Sequence, residues 1–218
     1  IGTSRSLFNA SFYRLKHLLI FDKILLIELD LSSYEDVLNC LAKYQPTEIY
    51  HLSGQSSVGT SFTLPGETIQ SFVHSTLNIL ESIRKLSFSI RFYSASSSEC
   101  FGSLQHPADE STPLSPLSPY GYAKAMAHEL ICCYRSSYEI FAVSGFLFNH
   151  DSELRPDHFV TQKVAKSVAK IYLGQLDNIV LGNTKIVRDW GYAPDYVKAM
   201  WLMLQYPQPE DFCICTNS

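Results

Sequence analysis

Short apolar runs alternate with helix-patterned segments along this chain, and that alternation restricts the fold more than any single motif. Lys23 to Leu29 reads as a strand, and Ser33 to Tyr44 as a helix that ends before Pro46. Glu48 to Leu52 is a second strand, Glu67 to Leu86 a long helix, and Ile90 to Ser94 a third strand. Tyr120 to Tyr138 is a helix, Phe141 to Leu147 a strand, and Phe159 to Leu173 a helix ending near Gly174. Ile179 to Leu181 reads as a short strand, Pro194 to Leu204 as a helix, and Phe212 to Cys215 as a last strand. Strands that alternate with helices build βαβ units, so the expected class is α/β with a parallel sheet covered on both faces. Right-handed crossovers make that sheet doubly wound. Gln105 to Pro119, with four prolines, reads as an ordered extended loop between two core elements.

The chain has 218 residues, enough for one domain with a sizeable core. A hydrophobic share of 46% against 17% charged residues excludes a disordered chain. The net charge of −4 provides no basic footprint, which argues against nucleic acid as a partner. The most apolar stretch, Leu18 to Leu31, is interrupted by Asp22, Lys23, Glu28 and Asp30 and does not read as a membrane span. The opening residues do not read as a signal peptide. Six cysteines without a Cys-x-x-Cys pair or a ligand-spaced His read as buried reduced thiols, with no metal site, in a cytoplasmic setting. Trp190, Trp201 and Met203 read most simply as core residues.

Within the helix that follows Ser118-Pro119, Tyr120 and Lys124 stand at i and i+4, on one face. An ammonium held beside a phenol stabilises the phenolate and lowers a pKa that starts near ~10. Such a Tyr takes a proton from a sugar hydroxyl while hydride leaves the same carbon. The plain alternative is a half-buried Tyr and a solvated Lys. Other polar residues have plain alternatives too: Glu99 as a turn-capping carboxylate, His150 as a satisfied core histidine, Arg188 as a surface ion pair.

A dinucleotide-binding sheet usually opens with a strand, a Gly-rich turn and a helix N-terminus that takes the pyrophosphate. No Gly-x-Gly-x-x-Gly or Gly-x-x-Gly-x-x-Gly occurs here, and Gly54 and Gly59 fit neither spacing. The chain begins at Ile1 and stops at Ser218 directly after a strand, so residues 1–218 read as a domain cut at both ends.

An ordered set of motifs then carries a resemblance. Ser97-Ser98-Glu99, Ser118-Pro119-Tyr120 with Lys124, Leu147-Phe148-Asn149-His150, Phe159 to Lys163, Leu181-Gly182-Asn183 and Arg188-Asp189-Trp190-Gly191 occur in this order. Asp30-Leu31-Ser32 and Gln55 to Gly59 fit upstream. Together they resemble the GDP-mannose 4,6-dehydratase family of extended short-chain dehydrogenases/reductases, from about Arg5 to Phe212. The resemblance implies a Rossmann-type sheet without its first strand and Gly-rich loop, carrying part of the substrate-binding region. It implies NADP as cofactor, GDP-mannose or a related nucleotide sugar as substrate, and a homo-oligomer, dimer or tetramer. Ser97, Glu99, Tyr120 and Lys124 resemble the catalytic set, Glu99 as base at C5 and then acid at C6, which calls for partial desolvation. Arg5, Asp30, Leu31, Leu52, Ser53, Gly54, Gln55, Ser56, His150 and Arg155 resemble cofactor contacts, with Tyr120 and Lys124. Asn149, Val160, Lys163, Leu181 and Arg188 resemble the nucleotide-sugar side, where Lys163 and Arg188 also suit a diphosphate as cations.

There are departures. Ser97 stands where the family usually has Thr, and Thr3-Ser4 where it has two arginines, Arg5 being shifted by one. Glu67 and Phe72 stand where Tyr and Asp or Asn are usual. The readings kept beside the dehydratase are a catalytically silent binding or assembly protein of the same fold, and a sibling epimerase or reductase. Glu99 argues against the sibling, because simple reduction needs no base at C5.

Overall fold

The computed structural model describes all residues except Asn9, Gln105, His158, Asn217 and Ser218. Gln105, the first residue of the proline-rich loop, and Ser218, the end of the chain, therefore lie outside it. The strands are β1 (Gly2–Ser4), β2 (Leu26–Glu28), β3 (Glu48–His51), β4 (Arg91–Ser97), β5 (Ala142–Leu147), β6 (Asn149–Asp151), β7 (Trp190–Tyr192) and β8 (Phe212–Ile214). The helices are α1 (Tyr13–His17), α2 (Tyr34–Tyr44), α3 (Val58–Thr63), α4 (Pro65–Ile69), α5 (Ser75–Lys85), α6 (Pro119–Tyr138), α7 (Val160–Tyr172) and α8 (Ala193–Gln205). All strand pairs are parallel, as expected.

The central sheet has the order β3-β4-β5-β8. Its two longest strands alternate their side chains between faces. Phe92 and Ala142 pack with Ile79, Leu80, Ile83 and Ile131 of α5 and α6. The next residues along, Tyr93 and Val143, pack with Tyr196, Met200, Met203 and Leu204 of α8. One sheet thus has helices on both faces, the doubly wound arrangement.

β1 and β2 form a separate ladder of three residue pairs. Between β1 and β3 lies a cavity of about 470 Å³. Ile1, Gly2 and Thr3 line one side, Glu48 to Leu52 the other, and Val37, Leu41 and Ile79 are among the apolar residues that line it too. The sheet is therefore divided at this cavity. Its two pieces are joined through α2 and α5, with Leu29 and Leu31 packed on the same core as Val37 and Leu41.

The sequence reading needs several corrections. The strand expected over Lys23 to Leu29 shrinks to β2, because Phe21–Lys23 turns as a 3-10 helix and the three-residue β1 pairs no further. The long helix expected from Glu67 starts at Pro65, which suits a first helical position. It is interrupted by a π-helical stretch, Gln70–His74, before α5. Ile179 to Leu181 forms no strand; the Val180 carbonyl accepts from Lys163 Nζ at 2.5 Å instead. β6 and β7, too short to read as strands, pair with each other. Met203 is buried, but Trp190 and Trp201 are about half exposed. All six cysteines are free, and Cys133 and Cys215 are exposed rather than buried.

A ligand-spaced His also exists. His128, Cys132 and Asp211 place their donor atoms within 4.8 Å of one another, but Asp211 arrives from far along the chain. Arg135 claims this cluster. Its guanidinium donates to both Asp211 oxygens, at 3.0 and 2.6 Å, and to Cys132 Sγ at 3.4 Å. Asp211 also accepts from Ser144 N at 2.6 Å, which ties the chain before β8 to β5 and α6. Removing one partner of a largely buried pair strands the other charge. Asp211→Ala should therefore cost about 3 kcal/mol in urea unfolding, and Asp211→Asn clearly less. Equal losses in both variants would show that packing, and not charge, holds this corner.

Candidate active site

The site forms where β4 ends and α6 begins. Ser97 closes β4 and caps the 3-10 turn Ser98–Cys100, its Oγ accepting from Glu99 N at 3.3 Å. Ser118 caps α6, accepting from Gly121 N at 3.0 Å, and Pro119 takes the first turn. Gly121 then passes so close to the turn that a Cβ there would lie 2.6 Å from Glu99 O. Tyr120 is thereby set beside Ser97, to which its side chain is hydrogen-bonded.

Lys124 is buried, which removes the solvated-lysine alternative. Its Nζ donates to Ala95 O at 2.6 Å and lies 3.9 Å from the centroid of the Phe72 ring. The Tyr120 ring centroid is farther, at 5.9 Å. Burial lowers Lys124 to about 8. Burial pushes Tyr120 up to about 12, opposed by the Ser97 hydrogen bond and, more weakly, by the charge of Arg155. The expectation that Lys124 would lower the phenol is thus not met in this structure, because burial of the phenol outweighs the groups that lower it.

Glu99 keeps 36% of its side-chain surface exposed. Arg188 Nη2 stands 4.0 Å from its Oε1. Arg155 forms an ion pair with Asp151 at 2.8 Å and lies 3.6 Å from the Phe159 ring centroid. His150, on β6, contacts Phe148 O through Nδ1 at 2.8 Å and stacks on Tyr196. Asn149 is its neighbour on the same strand.

The other expected residues fall into two groups. Leu52 to Ser56 form the turn between β3 and α3. There Gly54 has φ +133°, and Gln55 reaches Ser57 O at 2.8 Å. Asp30 lies at the end of the β1–β2 ladder, where hydrogen bonds from Ser32, then the charge of Arg5, hold its carboxyl below the usual range. Leu31 packs into the core beside it. On the far side, Val160 and Lys163 lie on α7, Lys163 bonded to Val180 O next to the exposed Leu181. The structure therefore gathers Ser97, Glu99, Tyr120, Lys124 and Arg188, and leaves the β3 turn and α7 as flanks.

The sequence reading missed two residues here. His51, at the end of β3, is buried with Ser75 Oγ at 3.0 Å and Ser53 Oγ at 3.2 Å from its ring nitrogens. Phe72 registered only as a departure from a family pattern; the structure shows it packed on Gly54, whose φ is positive.

With this geometry in view, the model of the family described as GDP-mannose 4,6 dehydratase matches residues 2–218. The chain belongs to that family. GDP-mannose 4,6 dehydratase of Cricetulus griseus is 47% identical over 191 residues, 86% of this chain and 51% of that protein. GDP-mannose 4,6-dehydratase of Yersinia enterocolitica is 44% identical over the same shares. The chain spans about half the length of the curated relatives it matches. Among solved structures, RMD from Pseudomonas aeruginosa complexed with NADPH superposes with a TM-score of 0.82 at 23% identity, over 94% of this chain and 73% of that one. UDP-glucose 4-epimerase from Thermotoga maritima with UDP-glucose reaches 0.85 at 21%, over 99% and 68%. At such identities the likeness concerns the fold.

This member of the GDP-mannose 4,6-dehydratase family carries a pH signature in its buried bases. Burial, then the charge of Lys124, lowers His51 to about 3. Between that value and the ordinary ~6.5, the unfolded chain binds a proton that the folded chain refuses, so stability falls as pH drops below ~6.5. The loss from this one group is roughly 1.4 kcal/mol per pH unit. Lys124 acts in the same direction in an alkaline window, adding stability as pH rises above about 8. His51→Gln should flatten the acid slope in urea unfolding between pH 7 and 5. A difference from wild type that does not change with pH would contradict a neutral buried His51.

Proposed function

We propose that this chain is the catalytic part of a lyase, an NADP-dependent nucleotide-sugar dehydratase that converts GDP-mannose to GDP-4-keto-6-deoxymannose. The meeting of Ser97, Glu99, Tyr120 and Lys124 at the β4–α6 junction carries this reading. Residues 1–218 would act as one NAD(P)-binding unit that also carries part of the sugar-nucleotide pocket.

The residues present fit one end of NADP better than the other. A phenol, a serine hydroxyl and a buried ammonium suit the nicotinamide end. The β3 turn, Leu52 to Ser56, and Arg5, Asp30 and Leu31 would flank the rest, with His150 and Arg155 nearer the site. Arg5 is an exposed cation on the β1–β2 side, beside Asp30, that suits a phosphate. NADP, when bound, supplies the hydride acceptor and later donor.

Tyr120 takes the proton of the C4 hydroxyl as hydride leaves C4. The resulting ketone acidifies C5, and Glu99 takes that proton. Glu99 then hands a proton to the C6 hydroxyl, which departs as water. Once hydride has reached C6, a proton returns to C5 and balances the one that Tyr120 removed. Ser97 holds the Tyr120 oxygen, and Arg188 keeps a positive charge beside Glu99 and the expected diphosphate. Asn149, Val160, Lys163 and Leu181 would line the nucleotide-sugar side.

The free cysteines favour a cytoplasmic setting. No helix of the described residues is long and apolar enough to cross a membrane. Exposed Tyr122 and Met126 on α6 would suit a homo-oligomer contact.

The intact protein in deuterated water should release a product labelled at C5. Glu99→Gln should lower turnover roughly a hundredfold or more, the scale for losing a general acid/base. Tyr120→Phe should abolish the transient NADPH absorbance that precedes dehydration. Wild-type turnover in Glu99→Gln would remove Glu99 from the mechanism, and normal NADPH formation in Tyr120→Phe would assign the C4 proton to another group.

A further inference from the structure

We propose that Phe72 is the positioning residue of this site: its ring face, with Ala95 O, seats the Lys124 ammonium and fixes where that charge stands relative to Tyr120. The inference rests on the dehydratase reading for its role in turnover, but its geometry stands alone. Lys124 Nζ is 3.9 Å from the Phe72 centroid, well within cation–π range. The same ring meets Tyr120 edge-on, centroids 5.5 Å apart. Phe72 is itself buried, so the contact is dry.

Three elements build this seat. Phe72 lies in the π-helical stretch Gln70–His74, an irregularity that recurs at functional sites. The turn after β3 closes on the ring at Gly54, where a Cβ would overlap the Phe72 ring. α6 brings Tyr120 and Lys124 from the other side.

The ionisable groups around the ammonium offer no fixed anion. His51 on β3 is neutral, Cys100 in the turn after β4 is held in its thiol form by burial, and Tyr120 on α6 is a phenol. Glu99, in the same turn, has Arg188 beside it. A ring quadrupole and a carbonyl therefore do what a carboxylate does elsewhere. They hold a cation without cancelling its charge, which leaves that charge able to act on an oxyanion formed at Tyr120.

The test uses the intact protein with ¹³Cε-labelled lysine, the Lys124 signal being assigned by Lys124→Arg. Phe72 is replaced by leucine, and separately by phenylalanines carrying one, two and three ring fluorines. Fluorination weakens the ring quadrupole with little change of shape. Without cofactor, the Lys124 titration midpoint should fall stepwise along the fluorine series, and by about one pH unit or more in Phe72→Leu. The pH at which the first hydride transfer is fastest should shift with it, while substrate KM changes little. A midpoint unmoved along the fluorine series overturns the proposal, even in a protein that turns over GDP-mannose normally. A stepwise fall supports the seat. Failure of the wild-type protein to dehydrate GDP-mannose would refute the dehydratase reading and leave the titration result standing.

Discussion

The close approach of Gly121 to the Glu99 carbonyl governs this site. A helix ordinarily keeps a strand end at side-chain distance, but here α6 touches the turn after β4 through bare backbone. The contact is locked from both directions. Cys100 is fully buried, its Sγ near Ser96 Oγ at 3.4 Å and Gly121 O at 3.8 Å. The proline-rich loop returns to the same turn through Ser115 N, which donates to Cys100 O. Gly102, at φ +68°, lies so close to Ser115 O that a side chain has no room there. The separation of Glu99 and Tyr120 therefore follows from backbone packing, and not from flexible side chains reaching for each other.

This explains what the sequence could and could not disclose. The central strands and α2, α6 and α8 were legible because each pairs an apolar period with a punctuating residue: Ser33 and Pro46 around α2, Ser118-Pro119 before α6. The catalytic candidates were legible as types and order. The direction of Lys124 was not, since i, i+4 spacing places two side chains on one face but does not say what else competes for the ammonium. Ala95 O and Phe72, respectively 29 and 52 residues before it, won that competition. Strands of three residues, such as β6 and β7, carry too few side chains to show a period. Ile179 to Leu181 had the composition of a strand but no neighbour to pair with.

The divided sheet sets a second constraint. Backbone ladders join β3, β4, β5 and β8, while β1 and β2 hang on this unit through side chains: the apolar ones of α2 and α5, and Asn78, whose Nδ2 donates to Leu31 O at 2.9 Å. Side-chain packing is less directional than a ladder, so the Arg5 and Asp30 side of the molecule is located less tightly than the Tyr120 side. The chemistry of the proposed reaction sits wholly on the laddered piece. Recognition of the far end of a dinucleotide would depend on the other.

Charge is the remaining problem, and the structure treats two of the nearby cations alike. Lys124 lies over Phe72 and Arg155 over Phe159. Arg155 also has Asp151, whereas Lys124 has a carbonyl and ring faces, with no carboxylate paired to it among the described residues. Burial disfavours charge on Tyr120 and on Lys124 at once, raising the first and lowering the second. A carboxylate against Lys124 would ease its burial but would also cancel the field that a phenolate needs. An aromatic face eases it without that cancellation, because a quadrupole falls off faster with distance than a charge. A cation seated on a ring is thus held in a dry site without being neutralised, although burial still keeps the Tyr120 phenol high.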